Sequence, residues 1–421
     1  MKIAVIGAGL AGVATAHVLV TQGHDVTLIE RRGAVAEEGS FAPGAPWGLD
    51  PLAPWWPAEI ARTLGAPSDA MAWWPVGRAG RKARQALAQS AGAGLDAYSR
   101  HAFGEALQRS AWGHERGIGH MVLLRDAEQQ RGIETALELL STQGAAPRLL
   151  DAAQARALEP ALHEGAPLAG ALLLPHDASG NARLLAQHLR AAAQAQGLRV
   201  ITDGTVVGLA EEPGRAQPWT VRLQRATAEG ETEFLPPGPF DAVVLCAGAQ
   251  TSALARGVGW SLPLTLRGAV SVTVPMRWDE ALAPPLPSHV LTDAGLGISM
   301  SRLGQRVRVA AARATAPTVA GPAHAMDDCK PLFAALDTWI PGSTRVREAQ
   351  AWSGAVACTP DGLPVVGTGP RRGLWVNGGH GHAGLGRIWG SALVLADLMA
   401  GRPPGIDATP LAPGRFSRPA A

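Results

Sequence analysis

Read for its apolar and polar positions, the chain begins with one strand–helix–strand unit. Lys2–Ile6 is an apolar run of strand length, Gly7-Ala8-Gly9-Leu10-Ala11-Gly12 is a turn, and Val13 to Gln22 has the apolar density of a packed helix. Gly23 closes that helix, and Asp25–Ile29 predicts a second strand ending at Glu30. From Gly39 to Pro75 the periodicity fades into a long loop region rich in Gly, Pro and Trp. Alanine-rich stretches at Arg81–Leu95 and Glu128–Leu140 predict helices. Asn181–Gln196 predicts an amphipathic helix with Leu184, Leu185 and Leu189 on one side, leading into a strand at Arg199–Thr202. Phe240–Cys246 reads as a buried strand ending in Ala247-Gly248-Ala249. Between Leu264 and Ala311 the pattern turns to alternation, as in Ser271–Val274 and Arg306–Val309, which predicts an antiparallel sheet. Leu374–Val376 is a last strand, Gly378–Gly386 a glycine-rich loop, and Arg387–Met399 a helix stopped by Gly401 and Pro403.

Parallel-type strands at both ends enclose an antiparallel middle. The fold class this predicts is α/β: a doubly wound domain assembled from residues 1–45, 165–255 and 350–421, with a second α+β domain from 46–164 and 256–349. The G-x-G-x-x-G turn has the context that gives the motif meaning, since it follows a strand, opens a helix and is answered by an acid. Gly7 makes the tight turn, Gly9 lets the backbone approach a pyrophosphate, and Gly12 lets helix and strand pack closely. The helix N-terminus turns unpaired N–H groups and a positive dipole end to that phosphate. Glu30, eighteen residues past Gly12, can accept hydrogen bonds from a ribose diol. The doubly wound domain is therefore of the Rossmann type. No second strand-plus-glycine unit follows, because Gly367-Thr368-Gly369 has the wrong spacing and runs into Pro370. A single dinucleotide site suits a flavin that takes electrons straight from its substrate, so we expect FAD rather than a nicotinamide.

Composition narrows the picture. A chain of 421 residues, 47% hydrophobic, suits about two to three domains with a sizeable core. No apolar run is long enough to span a bilayer, and Ile3–Ile6 breaks into glycines instead of reaching a cleavage site. The expectation is a cytoplasmic protein starting at Met1. Cys246, Cys329 and Cys358 are odd in number and lack metal-ligand spacing, so neither a disulfide framework nor a metal site is expected. A net charge of +2 with no basic stripe argues against nucleic acid as a partner.

The chain resembles the FAD-dependent D-amino acid oxidase superfamily, most closely its bacterial D-amino acid dehydrogenase (small subunit) branch. The resemblance rests on Val5–Gly12 with Glu30-Arg31, on Leu174-Pro175-His176-Asp177-Ala178-Ser179-Gly180-Asn181, and on Ala242–Gly248. It continues through Leu266-Arg267-Gly268, Thr359–Gly367 and Asn377-Gly378-Gly379-His380-Gly381. It implies a cofactor site of Gly7, Ala8, Gly9, Leu10, Ala11 and Gly12, with Glu30 and Arg31 at the adenosine ribose and Ser40 and Ala42 along the pyrophosphate and flavin side. Val206 would bind adenine through its backbone, Ala247 and Gly248 would pass close to the cofactor, and Gly379, His380, Gly384 and Leu385 would wrap the flavin pyrimidine edge. It also implies oxidation of the Cα–N bond of a D-amino acid, with oxygen, a quinone or an electron-transfer protein as acceptor.

One departure bears on the substrate. The family's carboxylate-clamping arginine falls at Val356, in Trp352-Ser353-Gly354-Ala355-Val356-Ala357-Cys358, and a valine forms no ion pair. Tyr98 is the single tyrosine, so the family's tyrosine clamp is expected to be missing too. The candidates for the chemistry are Arg302 from the alternating strands, His382 in the glycine-rich loop and His380 beside it. His382, with an ordinary imidazole, would lose its charge at about pH 6 to 7. Arg267 is read as structural, and the register of Cys358 argues for FAD held without a covalent link. Trp47, Trp55, Trp56, Trp73 and Trp74 could pack the long loop, line a channel, or make a peripheral contact with the inner face of the cell membrane. Two alternatives stay open: oxidation of a secondary or neutral amine, and a flavin-binding subunit with little turnover of its own.

Overall fold

The computed structural model describes all residues except 45, 48–77, 143–145, 227–231, 236–237, 278–285, 314–327 and 417–421. The predicted opening unit forms as Lys2–Ile6, helix Leu10–Thr21 and Asp25–Ile29. Lys2–Ile6 lies inside a six-stranded sheet in the order Val365–Thr368, Leu374–Gly378, Ala242–Leu245, Lys2–Ile6, Asp25–Ile29, Arg199–Ile201. Its pairings are parallel (Ile3 opposite Ala242 and Val26), except that Val365–Thr368 runs antiparallel at one edge. These strands are apolar without alternation because both faces are covered. One face meets helices Leu10–Thr21, Ala182–Gln194 and Gly384–Met399, and the other meets a four-stranded sheet that contributes Trp219 and Phe240, both fully buried.

The alternating segment is a mixed nine-stranded sheet. Its order is Gln350–Cys358, Thr265–Pro275, Arg306–Arg313, Ile298–Leu303, Val290–Asp293, Gly117–Leu124, Gly170–Ser179, Pro46–Trp47, with Arg148–Asp151 also paired to Gly170–Ser179. Residues 170–179 and 350–358, grouped above with the nucleotide-binding segments, are strands of this sheet. The period of two gives it two unlike faces. Val272, Val274, Met300, Val307 and Val309 pack under helix Lys330–Trp339, while Ala269, Ser271, Ser299 and Ala310 turn the other way. The helix predicted from Arg387 starts at Gly384, and the one predicted over 81–95 runs from Arg78 to Gln108. Trp55, Trp56, Trp73 and Trp74 fall outside the described residues. Among the described residues no helix is long and apolar enough to cross a membrane.

Candidate active site

A cavity of about 480 Å³ lies where the strand ends of the six-stranded sheet meet the second face of the nine-stranded one. The glycine turn forms one wall. Gly7 has φ +96°, and a Cβ there would sit 2.6 Å from the Cys246 carbonyl oxygen. A Cβ on Gly12 would stand 1.8 Å from the Gly7 oxygen, so that residue sets the helix–strand approach. Gly9 differs: the nearest heavy atom to a Cβ there is Ser40 Oγ at 3.4 Å, and the residue faces the cavity. Ser40 Oγ accepts the Leu10 N–H at 3.0 Å, and Ser40 lines the cavity.

Glu30 closes the end of Asp25–Ile29. Its Oε2 accepts the Ala8 N–H at 2.7 Å and its Oε1 the Arg32 N–H at 2.9 Å. Burial raises this carboxyl above the usual range, and the two backbone donors pull it back. Arg31 lines the cavity but its guanidinium is tied to Glu38, which also pairs with Arg32. Val206, Ala247, Gly248, Gly379, His380, Gly384 and Leu385 line the same cavity, as do Gly7, Gly9, Leu10 and Ala11. Ala8, Gly12 and Ala42 are buried behind the lining, and the Ala42 carbonyl accepts the Ser271 hydroxyl at 2.6 Å.

The two histidines of the glycine loop are not cations here. His380 is buried and its Nε2 lies 2.9 Å from Ser391 Oγ; burial, with Arg387 nearby, pushes its pKa down to about 3. His382 lines the cavity and its Nε2 has no hydrogen-bond partner among the described residues. Burial and the positive charge of Arg267 push it down to about 4, so the expected titration near pH 6 to 7 is replaced by a neutral imidazole. Arg302, expected at the site, does not line the cavity. The alternation that points Ser299 into the cavity sends Arg302 to the face occupied by Met300, where it is exposed and its Nε donates to the Gly304 carbonyl at 3.0 Å. Val356 does line the cavity, and its register partner across the sheet is Arg267.

Of the other cavity residues, His120 and Thr292 carried no sequence signal, while Asn377 and Cys246 entered only as members of the motifs behind the resemblance. His120 and Thr292 sit in apolar strands and are joined by a 2.7 Å contact between His120 Nε2 and Thr292 Oγ1. Asn377 Nδ2 donates to Thr15 Oγ1 at 2.9 Å while its Oδ1 has no partner among the described residues. Cys246, also in the lining, is fully buried, and burial pushes its thiol up to about 12, which removes it as a nucleophile.

A glycine turn on a parallel sheet, an acid at the next strand end and a cavity shared with an antiparallel sheet define the class as dinucleotide-binding proteins with the site between two sheets. The model of the FAD dependent oxidoreductase family, DAO, matches residues 2–398, and the chain belongs to that family. A D-amino acid dehydrogenase of Cereibacter sphaeroides is 32% identical over 450 aligned positions, covering 100% of this chain and 98% of the relative. One from Rhizorhabdus wittichii is 30% identical, covering 99% and 100%. Among solved structures, glycine oxidase from Geobacillus kaustophilus superposes with a TM-score of 0.70 at 21% identity, covering 99% of this chain and 100% of that one. Iminodiacetate oxidase from a Chelativorans species gives 0.68 at 19%, covering 98% of each. The cofactor of the family is FAD, and the residues present fit it: the open face at Gly9, the Ser40 hydroxyl at the cavity wall and the two backbone-held oxygens of Glu30 suit a phosphate and ribose.

Proposed function

We propose that this enzyme oxidises the Cα–N bond of a D-amino acid, with FAD held non-covalently in the cavity. FAD, when bound, supplies the acceptor for the hydride that leaves Cα. The chain's own residues bind and orient. Arg267 carries the reading: it stands directly across the sheet from Val356, on the cavity-facing alternation of Thr265–Pro275, and its charge reaches His382. The guanidinium missing from one strand is thus available from its neighbour, to pair with the substrate carboxylate. His382, neutral, offers Nε2 as an uncharged hydrogen-bond partner, and the loop ahead of helix Gly384–Met399, which lines the cavity, would hold the cofactor near that helix's N-terminus.

The apolar wall of Ala355, Val356 and Ala357 favours a second reading, a neutral or secondary amine. Anaerobic flavin reduction by D-alanine and by ethylamine separates the two. If the carboxylate is read, D-alanine reduces the flavin and ethylamine does not. Arg267→Leu should then lower kcat/KM for D-alanine by about 2–5 kcal/mol, whereas Arg302→Leu should leave it unchanged. Equal reduction by ethylamine, or an unaffected Arg267→Leu enzyme, would replace the amino acid with the neutral amine.

A further inference from the structure

The nine-stranded sheet supplies one wall of the cavity, and Leu296 lines that wall while 49% exposed. It sits at the tip of the hairpin between Val290–Asp293 and Ile298–Leu303. A leucine half in water is ordinary by itself; this one faces the cavity from a backbone with a buried anchor. Its N–H donates to Asp293 Oδ1 at 3.2 Å, and the Gly297 N–H donates to the Asp293 carbonyl at 2.9 Å. Asp293 is fully buried and also accepts Arg125 Nε at 3.0 Å and Trp339 Nε1 at 2.8 Å. Register fixes the level of the tip. Leu296 lies two residues beyond the Ile298–Ala311 pair, which is the level of the Gly268–Arg313 pair, next to Arg267. Leu296 and Arg267 thus stand at one end of the sheet, two strand spacings or about 10 Å apart.

The surroundings of that tip are uncharged. From Ala269 across Ala312, Ala310 and Ser299 to Thr292, no described residue that lines the cavity carries a charge. Thr292 is joined to His120, and Ser299 Oγ donates to the Ala310 carbonyl at 3.4 Å, so both hydroxyls are engaged within the protein. We infer that Leu296 determines specificity for the substrate's side chain and selects large apolar groups, branched or aromatic. The inference rests on the amino acid reading above and names its substrate class. A carboxylate paired with Arg267 sets Cα at that end of the sheet. The remaining gap to Leu296 is one that a leucine or phenylalanine side chain can cross, whereas the methyl of D-alanine stops short. Contact there removes apolar area from water on both partners. A carboxylate or ammonium in its place would lose hydration with no counter-charge to meet.

The test uses the oxidised holoenzyme and reads Kd by titration calorimetry, without turnover. Propionate, 4-methylpentanoate and 3-phenylpropionate serve as the deaminated counterparts of D-alanine, D-leucine and D-phenylalanine. At least one of the two larger acids should bind about tenfold tighter than propionate. The counterpart of D-lysine, 6-aminohexanoate, should bind no tighter than propionate. The anchors of the tip are made by backbone groups and by Asp293, so Leu296→Ala leaves them in place. In that variant the ratio should fall to about threefold or less, with propionate unchanged within about twofold. Ratios near one in the wild type, or larger acids that do not bind, would overturn the assignment. So would a ratio that survives Leu296→Ala, or a preference for 6-aminohexanoate. A size preference lost in Leu296→Ala, with no amino acid oxidised, would defeat the catalytic reading and leave the role of Leu296 standing. Oxidation of D-alanine with flat ratios would do the reverse.

Discussion

Two glycines of one turn give opposite expectations when each receives a side chain. A Cβ at Gly12 would lie 1.8 Å from the Gly7 carbonyl oxygen and 3.2 Å from Cys246 Cβ. Neither neighbour is a flexible side-chain end, so Gly12→Ala must push helix Leu10–Thr21 off strand Lys2–Ile6. Overpacking of this kind costs about 1–3 kcal/mol or more, and the roughly 1 kcal/mol that alanine gains over glycine inside a helix does not offset a backbone collision. A Cβ at Gly9 meets nothing nearer than Ser40 Oγ at 3.4 Å, yet it points into the space that the pyrophosphate needs. Gly9→Val should therefore leave the melting of the flavin-free protein within about 0.5 kcal/mol of wild type while abolishing flavin retention. Gly12→Ala should lower both. The assay is flavin absorbance per chain together with denaturant unfolding of deflavinated protein. Full flavin occupancy in Gly9→Val, or wild-type unfolding of deflavinated Gly12→Ala, would refute the division between a cofactor-facing and a packing glycine.

Acid should destabilise the fold through the glycine-loop histidines. Burial, with Arg387 adding to the shift, lowers the His380 pKa from the ordinary 6.5 to about 3, so the unfolded chain binds the proton first. Its contribution is complete above about pH 6.5 and is lost as pH falls toward the folded value, at up to about 1.4 kcal/mol per pH unit. His380→Gln should flatten the fall in unfolding free energy between pH 6.5 and 5 (measured by denaturant titration), and an unchanged slope would contradict the assignment. Acid precipitation should leave the yellow chromophore in the supernatant, because Ala357 lines the cavity and Cys358 does not. Colour in the pellet, lost in Cys358→Ser, would establish a covalent link instead.

The cofactor half of the site was legible in the residues because its determinants are local. The turn from Gly7 to Gly12 works through backbone shape, which a six-residue string specifies, and Glu30 follows at the end of the next strand. The buried parallel strands were legible for a similar reason, since a strand covered on both faces must be apolar throughout. The substrate half was not. Its members lie on separate strands, and which of them meet depends on register, which single-strand patterns leave open. Arg302 and Arg308 look alike in the sequence, yet they occupy opposite faces of one sheet, because Arg302 follows the parity of Met300 while Arg308 pairs with Ser301. Likewise only the register sets Arg267 across from Val356. The histidines show the same limit for charge. An imidazole in a glycine-rich string carries its ordinary pKa on paper, and only burial beside arginines makes His380 and His382 neutral.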